Sequence, residues 1–203
     1  RLAAMRVRRS MTIDPISNPH DHSVALMHVS RLLNSTLDPD QLLELVMDIA
    51  IEALDAERGF LMLTRPETSE LSFTVARNFD RKTLVKPEFA ISRSVVTQVA
   101  RDGEPLLTNN ALMDPRFQSQ QSIVDYKLRS ILCVPLTVKE EVTGVIYVDN
   151  RIRVGAFEER DRDFLVSFAH MAAVAIENAR LFQRVQTNLA EAKRLKALMD
   201  NVF

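Results

Sequence analysis

Apolar positions recur at helical spacing from Glu158 to Phe203, and no glycine or proline interrupts the chain between Ala156 and Phe203. The pattern predicts one long amphipathic helix of 46 residues, roughly 69 Å at ~1.5 Å per residue. Between Phe164 and Ile176 the apolar residues, among them Phe164, Phe168, Ala172 and Ala175, occupy more than one face. Such a segment needs cover from the domain's own sheet and from a partner. Beyond Ala179 the stripe narrows to Phe182, Val185, Leu189 and Ala192, at coiled-coil steps of three, four and three. Continuing that register puts Lys196 at a core position, whereas stepping three from Ala192 selects Leu195, Met199 and Val202. This is either a stammer-like phase shift or the irregularity of a helix end.

Upstream, residues 1–22 carry Pro15 and Pro19 among polar residues and read as a linker. From Ser23 the pattern is helical through Val24, Met27, Leu32 and Leu33. A second helix starts at Asp38-Pro39-Asp40-Gln41: Asp38 can cap, Pro39 suits the first helical position, and Gln41 stands where a capping-box partner belongs. Gly59–Thr64 is a continuous apolar run, and Leu71, Phe73 and Val75 alternate with small or polar neighbours, so both predict strands. A short helix spans Ser92–Arg101 and stops at Gly103, and Pro105–Thr108 is a brief strand. Residues 109–128 form a polar excursion around Asp114-Pro115, and loops of that length are often functional. Ser130–Val138 and Val142–Asp149 flank Lys139-Glu140-Glu141 as a hairpin, and Gly155 closes the next loop.

This order predicts an α+β sandwich: an antiparallel sheet with the terminal helices on one face and the short helix and polar loop on the other. A small-molecule pocket would form on the second face. The division is a linker at 1–22, a domain at 23–182, and a coiled-coil helix at 183–203 leading toward an effector.

The composition is that of a soluble globular protein, 46% hydrophobic and 26% charged, and a net charge of −1 argues against a dedicated nucleic-acid surface. Arg1, Arg6, Arg8 and Arg9 read as a solvated linker rather than a binding arm. No apolar run approaches the ~20 residues a membrane span needs, so the expected location is cytoplasmic. A single cysteine, Cys133, rules out an intrachain disulfide. Its neighbours Ile131, Leu132, Val134 and Pro135 suggest a buried thiol, not a nucleophile. His20-Asp21-His22 lacks a third ligand and reads as a polar stretch rather than a metal site, and His170 as a packed helix histidine. Isolated glycines at 59, 103, 144 and 155 permit neither GxGxxG nor a P-loop. No GxSxG motif or triad spacing is present, so no catalytic constellation emerges.

Arg129-Ser130-Ile131-Leu132-Cys133-Val134-Pro135-Leu136, followed by Gly144-Val145-Ile146-Tyr147-Val148-Asp149-Asn150, resembles the core hairpin of the GAF family. Ala56-Glu57-Arg58-Gly59-Phe60-Leu61 resembles its first strand, and the similarity runs over about residues 24–185. The resemblance implies a six-stranded antiparallel sheet between helical layers and a sensory domain that binds a small ligand or mediates dimers. Its nucleotide-binding members carry Asn-Lys…Phe-x3-Asp-Glu; here Asn150-Arg151, Phe157 and Asp161 match in spacing, with Arg162 for the final acid. The resemblance implies an Arg151–Asp161 salt bridge. Cyclic GMP is not supported, because Ser92-Arg93-Ser94-Val95-Val96 stands where those members place glycines against the purine. Bilin is not supported either, since no cysteine lies in the helical lid, and one strand cysteine does not run the cycle of the methionine sulfoxide reductase members. By analogy the pocket would lie among Phe79, Asp80, Val95, Val96, Phe117, Gln118, Tyr126 and Tyr147, or these aromatics are simply core. The implied partner is a second copy, joined through the first and last helices: Phe164, Phe168, Ala172, Ala175, Ala179, Phe182, Val185 and Leu189 on the latter. The ligand and effector stay open.

Overall fold

The computed structural model describes residues 26–27, 29–33, 35–65, 67–68, 70–83, 91–117 and 121–200. The expected linker at 1–22, its His20-Asp21-His22 stretch, Gln118 and residues 201–203 lie outside them.

Residues 26–27 and 29–33 are helical, with Val29 and Leu33 buried. Helix α1 (Pro39–Leu54) begins as its sequence requires. The Asp38 carboxylate accepts the N–H groups of Asp40 at 3.0 Å and Gln41 at 3.2 Å, and Pro39 occupies the position that needs no N–H partner. The Gln41 amide donates to the Asp38 side chain at 3.0 Å, whereas a capping box would send it to the backbone.

The strands are β1 (Arg58–Thr64), β2 (Leu71–Asn78), β3 (Leu106–Thr108), β4 (Ser130–Val138) and β5 (Glu141–Asn150). They form one five-stranded sheet in the order β2-β1-β5-β4-β3, with every neighbour antiparallel. The sheet therefore has five strands, not the six the resemblance implied, and the five are those that the apolar runs and alternation single out. Past β2 a single antiparallel bridge joins Arg77 to Thr83, and no further ladder follows among the described residues. The β4–β5 turn is tighter than expected, with strand β5 resuming at Glu141. Lys139 and Glu140 take positive φ values of 50° and 69°, the left-handed pair whose twist matches the flanking strands.

Alternation along β1, β4 and β5 sorts the interior into two cores. Leu61, Leu63, Leu132, Val134, Ile146 and Val148 face α1 and α4 (Glu159–Asp200). Phe60, Met62, Ile131, Cys133, Val145 and Tyr147 face α2 (Arg93–Asp102). Gly103 ends α2 with φ of 70°. The excursion after β3 contains a 3-10 turn (Pro115–Phe117) and α3 (Gln121–Asp125). It sends Ala111, Phe117, Ile123 and Leu128 into the second core, so it is a folded cover and less polar in effect than in composition.

The structure divides the residues expected on the output helix. Phe164, Phe168, Ala172, Ala175 and Ala179 are buried in the chain's own first core, while Phe182, Val185 and Leu189 are exposed. His170, expected to be packed, is exposed. No helix among the described residues is long and apolar enough to cross a membrane.

Gly144 sits opposite Leu63 in the central pairing, and a Cβ there would collide with the Met62 carbonyl oxygen, a backbone atom that has no room to move. Gly144→Ala should cost about 3 kcal/mol, seen as a lower denaturation midpoint with unchanged slope. Gly155→Ala meets nothing within 4 Å but must hold φ of 68°, and should cost only about 1 kcal/mol.

Candidate functional site

The pairing of β1 with β5 sets Arg58 opposite Asp149 and Phe60 opposite Tyr147. Residues two apart on a strand share a face, so all four point toward the second core. Arg58 and Asp149 are buried and joined by a two-pronged ion pair, Nε to Oδ1 at 2.9 Å and Nη2 to Oδ2 at 2.6 Å. The guanidinium lies 5.4 Å from the Phe60 ring centroid, and that ring meets Tyr147 edge-on at 5.8 Å. Burial pushes the Asp149 carboxyl up to about 6, even with Arg58 opposing.

The Tyr147 side chain is fully buried, and its hydroxyl makes no hydrogen bond of sound geometry among the described residues. It lies beside the Asp149 carboxylate and the Ser92 backbone N–H at the start of α2. Burial first, and the charge of Asp149 second, hold its proton more tightly than usual. Ser92 is itself buried, with its Oγ 3.0 Å from that of Ser94. The result is a polar cluster of Arg58, Asp149, Tyr147 and Ser92 inside an apolar face, under a helix N-terminus.

Two further ion pairs tie the same end of the sheet. Arg151 donates its backbone N–H (2.9 Å) and Nε (2.6 Å) to Glu57, and Arg153 pairs with Asp55. Burial tends to raise Glu57, but the Arg151 bonds outweigh it and hold the carboxyl below its ordinary value. The expected Arg151–Asp161 bridge is thus replaced. Asn150 Oδ1 accepts the N–H groups of Ile152 (3.0 Å) and Arg153 (2.7 Å). That bends the loop so that Arg151 stands beside Glu57, which precedes β1. Asp161 instead accepts the Glu158 N–H at 2.7 Å at the start of α4.

Of the expected pocket residues, Val95, Val96, Phe117 and Tyr147 lie together in the second core, with Tyr126 half-buried against it. Phe79 and Asp80 are exposed at the turn beyond β2, Phe79 by 62%, so neither offers a stacking or polar contact to this face. Gln118 lies outside the described residues. The motif reading did not select Arg58, Asp149 and Ser92. Its usable signal was charge in phase with Phe60 and Tyr147 on otherwise apolar strands. Cys133 is buried in this core and burial raises its thiol, which is the opposite of what a nucleophile requires. Asp114 is held down at about 2, chiefly by Arg116. Its bond from the Thr108 hydroxyl at 2.8 Å pins the cover to β3. Among the described residues no group of three or more His, Cys, Asp or Glu could hold a metal.

The sequence pattern of the family described as GAF domain matches residues 38–176. The curated protein "Probable 3',5'-cyclic phosphodiesterase pde-5" of Caenorhabditis elegans is 27% identical over 172 residues, covering 79% of this chain and 24% of the relative. The chain therefore spans about a quarter of that relative's length. The GAF domain of a phosphoenolpyruvate-protein phosphotransferase from Coxiella burnetii superposes with a TM-score of 0.62 at 20% identity, over 83% of this chain and 99% of that one. Free methionine-R-sulfoxide reductase from Neisseria meningitidis, in complex with its substrate, gives 0.61 at 18%, over 80% and 92%. At these identities the structural likeness shows the fold alone.

The buried pair makes stability depend on pH. A carboxyl raised in the folded state holds its proton while the unfolded chain has lost it, so the stability from Asp149 is fully present below the ordinary carboxyl value and is lost as pH rises through about 6. Arg58→Met strips the counter-charge and should cost roughly 3–5 kcal/mol at pH 8. The cost should be clearly smaller at pH 5, where protonated Asp149 carries no charge; paired urea titrations at the two pH values check this.

Proposed function

The chain belongs to the GAF domain family, and on that premise we propose that it is a non-catalytic sensory or regulatory domain. It binds a small ligand at the Tyr147 cluster beneath α2 and passes its state along α4 to an effector in signal transduction. The observation that carries the reading is the Tyr147 hydroxyl, fully buried beside the Arg58–Asp149 pair and without a hydrogen bond of sound geometry among the described residues. Leaving such a group unsatisfied costs about 1–3 kcal/mol, and a few polar groups converging in an apolar site are the usual means of orienting a ligand. The ligand must bind two states of the domain unequally, or it shifts nothing.

The output route is α4. Up to Ala179 it is packed into the first core; beyond, Phe182, Val185 and Leu189 present an exposed stripe at steps of three and four. We read this stripe as the seam of a homodimer, continued by the first helix. A second reading follows from the closeness of Val95 and Val96 packing on the sheet, both buried: the domain binds nothing and serves as a dimerisation spacer. The relative's name puts cyclic nucleotides first among compounds to test. By the family resemblance the segment Ser92-Arg93-Ser94-Val95-Val96 takes the place of the glycines that admit a purine, so cyclic GMP should leave the melting temperature unchanged.

Tyr147→Phe keeps the ring and removes only the hydroxyl beside Asp149, so it should shift Tm by no more than about 2–4 °C. It should also abolish the stabilisation of the native chain by whichever amino acid, nucleotide or tetrapyrrole in a thermal-shift panel produces it. A panel with no stabiliser would favour the spacer reading. In sedimentation, the native chain should be a dimer and Phe182→Glu/Leu189→Glu a monomer with its melting temperature nearly unchanged; a monomeric native chain contradicts the seam.

A further inference from the structure

On the opposite flank of α2, Arg93, Val96, Thr97, Ala100 and Arg101 form one helical face, at spacings of three, four, seven and eight from Arg93. With β1 and β2 this face encloses a groove of about 890 Å³, within the range of small-molecule sites. Arg58, Ser92, Tyr147 and Asp149 are not among its walls, so it is distinct from the cluster described above. Its floor is apolar, with Met62, Phe73, Ile91 and Val96, and Phe73 is fixed edge-on against Phe60 at 6.3 Å. Its rim is cationic: Arg65 from the β1–β2 connection, Arg93 at one end of α2 and Arg101 at the other, with Glu70 as the opposing carboxylate. Arg101 also pairs with its neighbour Asp102 at 2.7 Å, both exposed. A surface pair of that kind contributes little, and the guanidinium keeps further donors for a ligand.

We propose that this groove binds a small free acid with an apolar body, its carboxylate on the arginine rim and its tail along Met62 and Phe73. The charge excess on the rim selects an anion over a cation. The planar fork of arginine matches a carboxylate. Eight residues of helix separate Arg93 from Arg101, about 12 Å at ~1.5 Å per residue, so a carboxylate held at the rim leaves the apolar floor of Met62 and Phe73 free for a short aliphatic tail.

Octanoate, octanol and octylamine, titrated calorimetrically into the full chain, test this. Octanoate should bind at least about tenfold more tightly than the other two, weaken with added salt, and shift the amide resonances of Phe73 and Thr97. Arg65→Gln/Arg93→Gln/Arg101→Gln keeps the apolar stems and should weaken octanoate at least about tenfold while leaving octanol unchanged. Should that variant fail to fold, Arg93→Gln alone must still weaken octanoate. The proposal is overturned if octanoate does not bind at millimolar concentration, if octanol matches it, or if the arginine variants bind it undiminished.

Discussion

The pairing of β1 with β5 at the centre of the sheet is the constraint on which the rest depends. Because side chains alternate across a strand, a slip of one residue would exchange the two cores. It would also part Arg58 from Asp149, leaving a buried carboxylate with no counter-charge. The same register brings Gly144 against the backbone at Met62 and Leu63, where no side chain has room. The apolar pattern and one ion pair therefore specify a single alignment, and the helices dock on the faces it defines.

From that alignment the two faces acquire different work. The face under α1 and α4 holds a large apolar cluster that packs α4 against the sheet, with the buried polar residues Ser130 and Asn150 at its edge. The face under α2 mixes a large apolar core with Arg58, Asp149, Ser92 and Tyr147. An apolar replacement of such a pair is often neutral or stabilising, so keeping it here is consistent with recognition rather than with stability. A long helix anchored on one face of a sheet, with polar chemistry on the other, is a mechanical arrangement in which a change at one face can be felt along the helix.

Much of this was legible in the residues. The five strands, the cap at Asp38, the stop at Gly103 and the change in α4 after Ala179 follow from apolar periodicity and from turn and cap chemistry, which act locally. The sixth strand came from family likeness alone, and the structure has five. The site was less legible because it is made by register. Whether Arg58 meets Asp149 or Arg151 meets Glu57 depends on pairing across some 90 residues of chain, which spacing within a motif does not encode. Phe79 and Asp80 were expected in the pocket by analogy with the family, yet the turn after β2 carries them to the surface. The cover after β3 read as polar because the apolar residues it buries among the described ones, Ala111, Phe117, Ile123 and Leu128, are irregularly spaced.

The chain has two tyrosines, Tyr126 and Tyr147, so selectively carbon-labelled tyrosine gives one ring signal for the cover and one for the site. That NMR experiment, run across pH and then against small-molecule ligands, tests the central claim most directly. The account predicts that the Tyr147 signal follows the titration of Asp149 with a midpoint near 6 and moves again when a stabilising ligand is added. A Tyr147 signal that is flat from pH 4 to 8 and silent to every compound would contradict it.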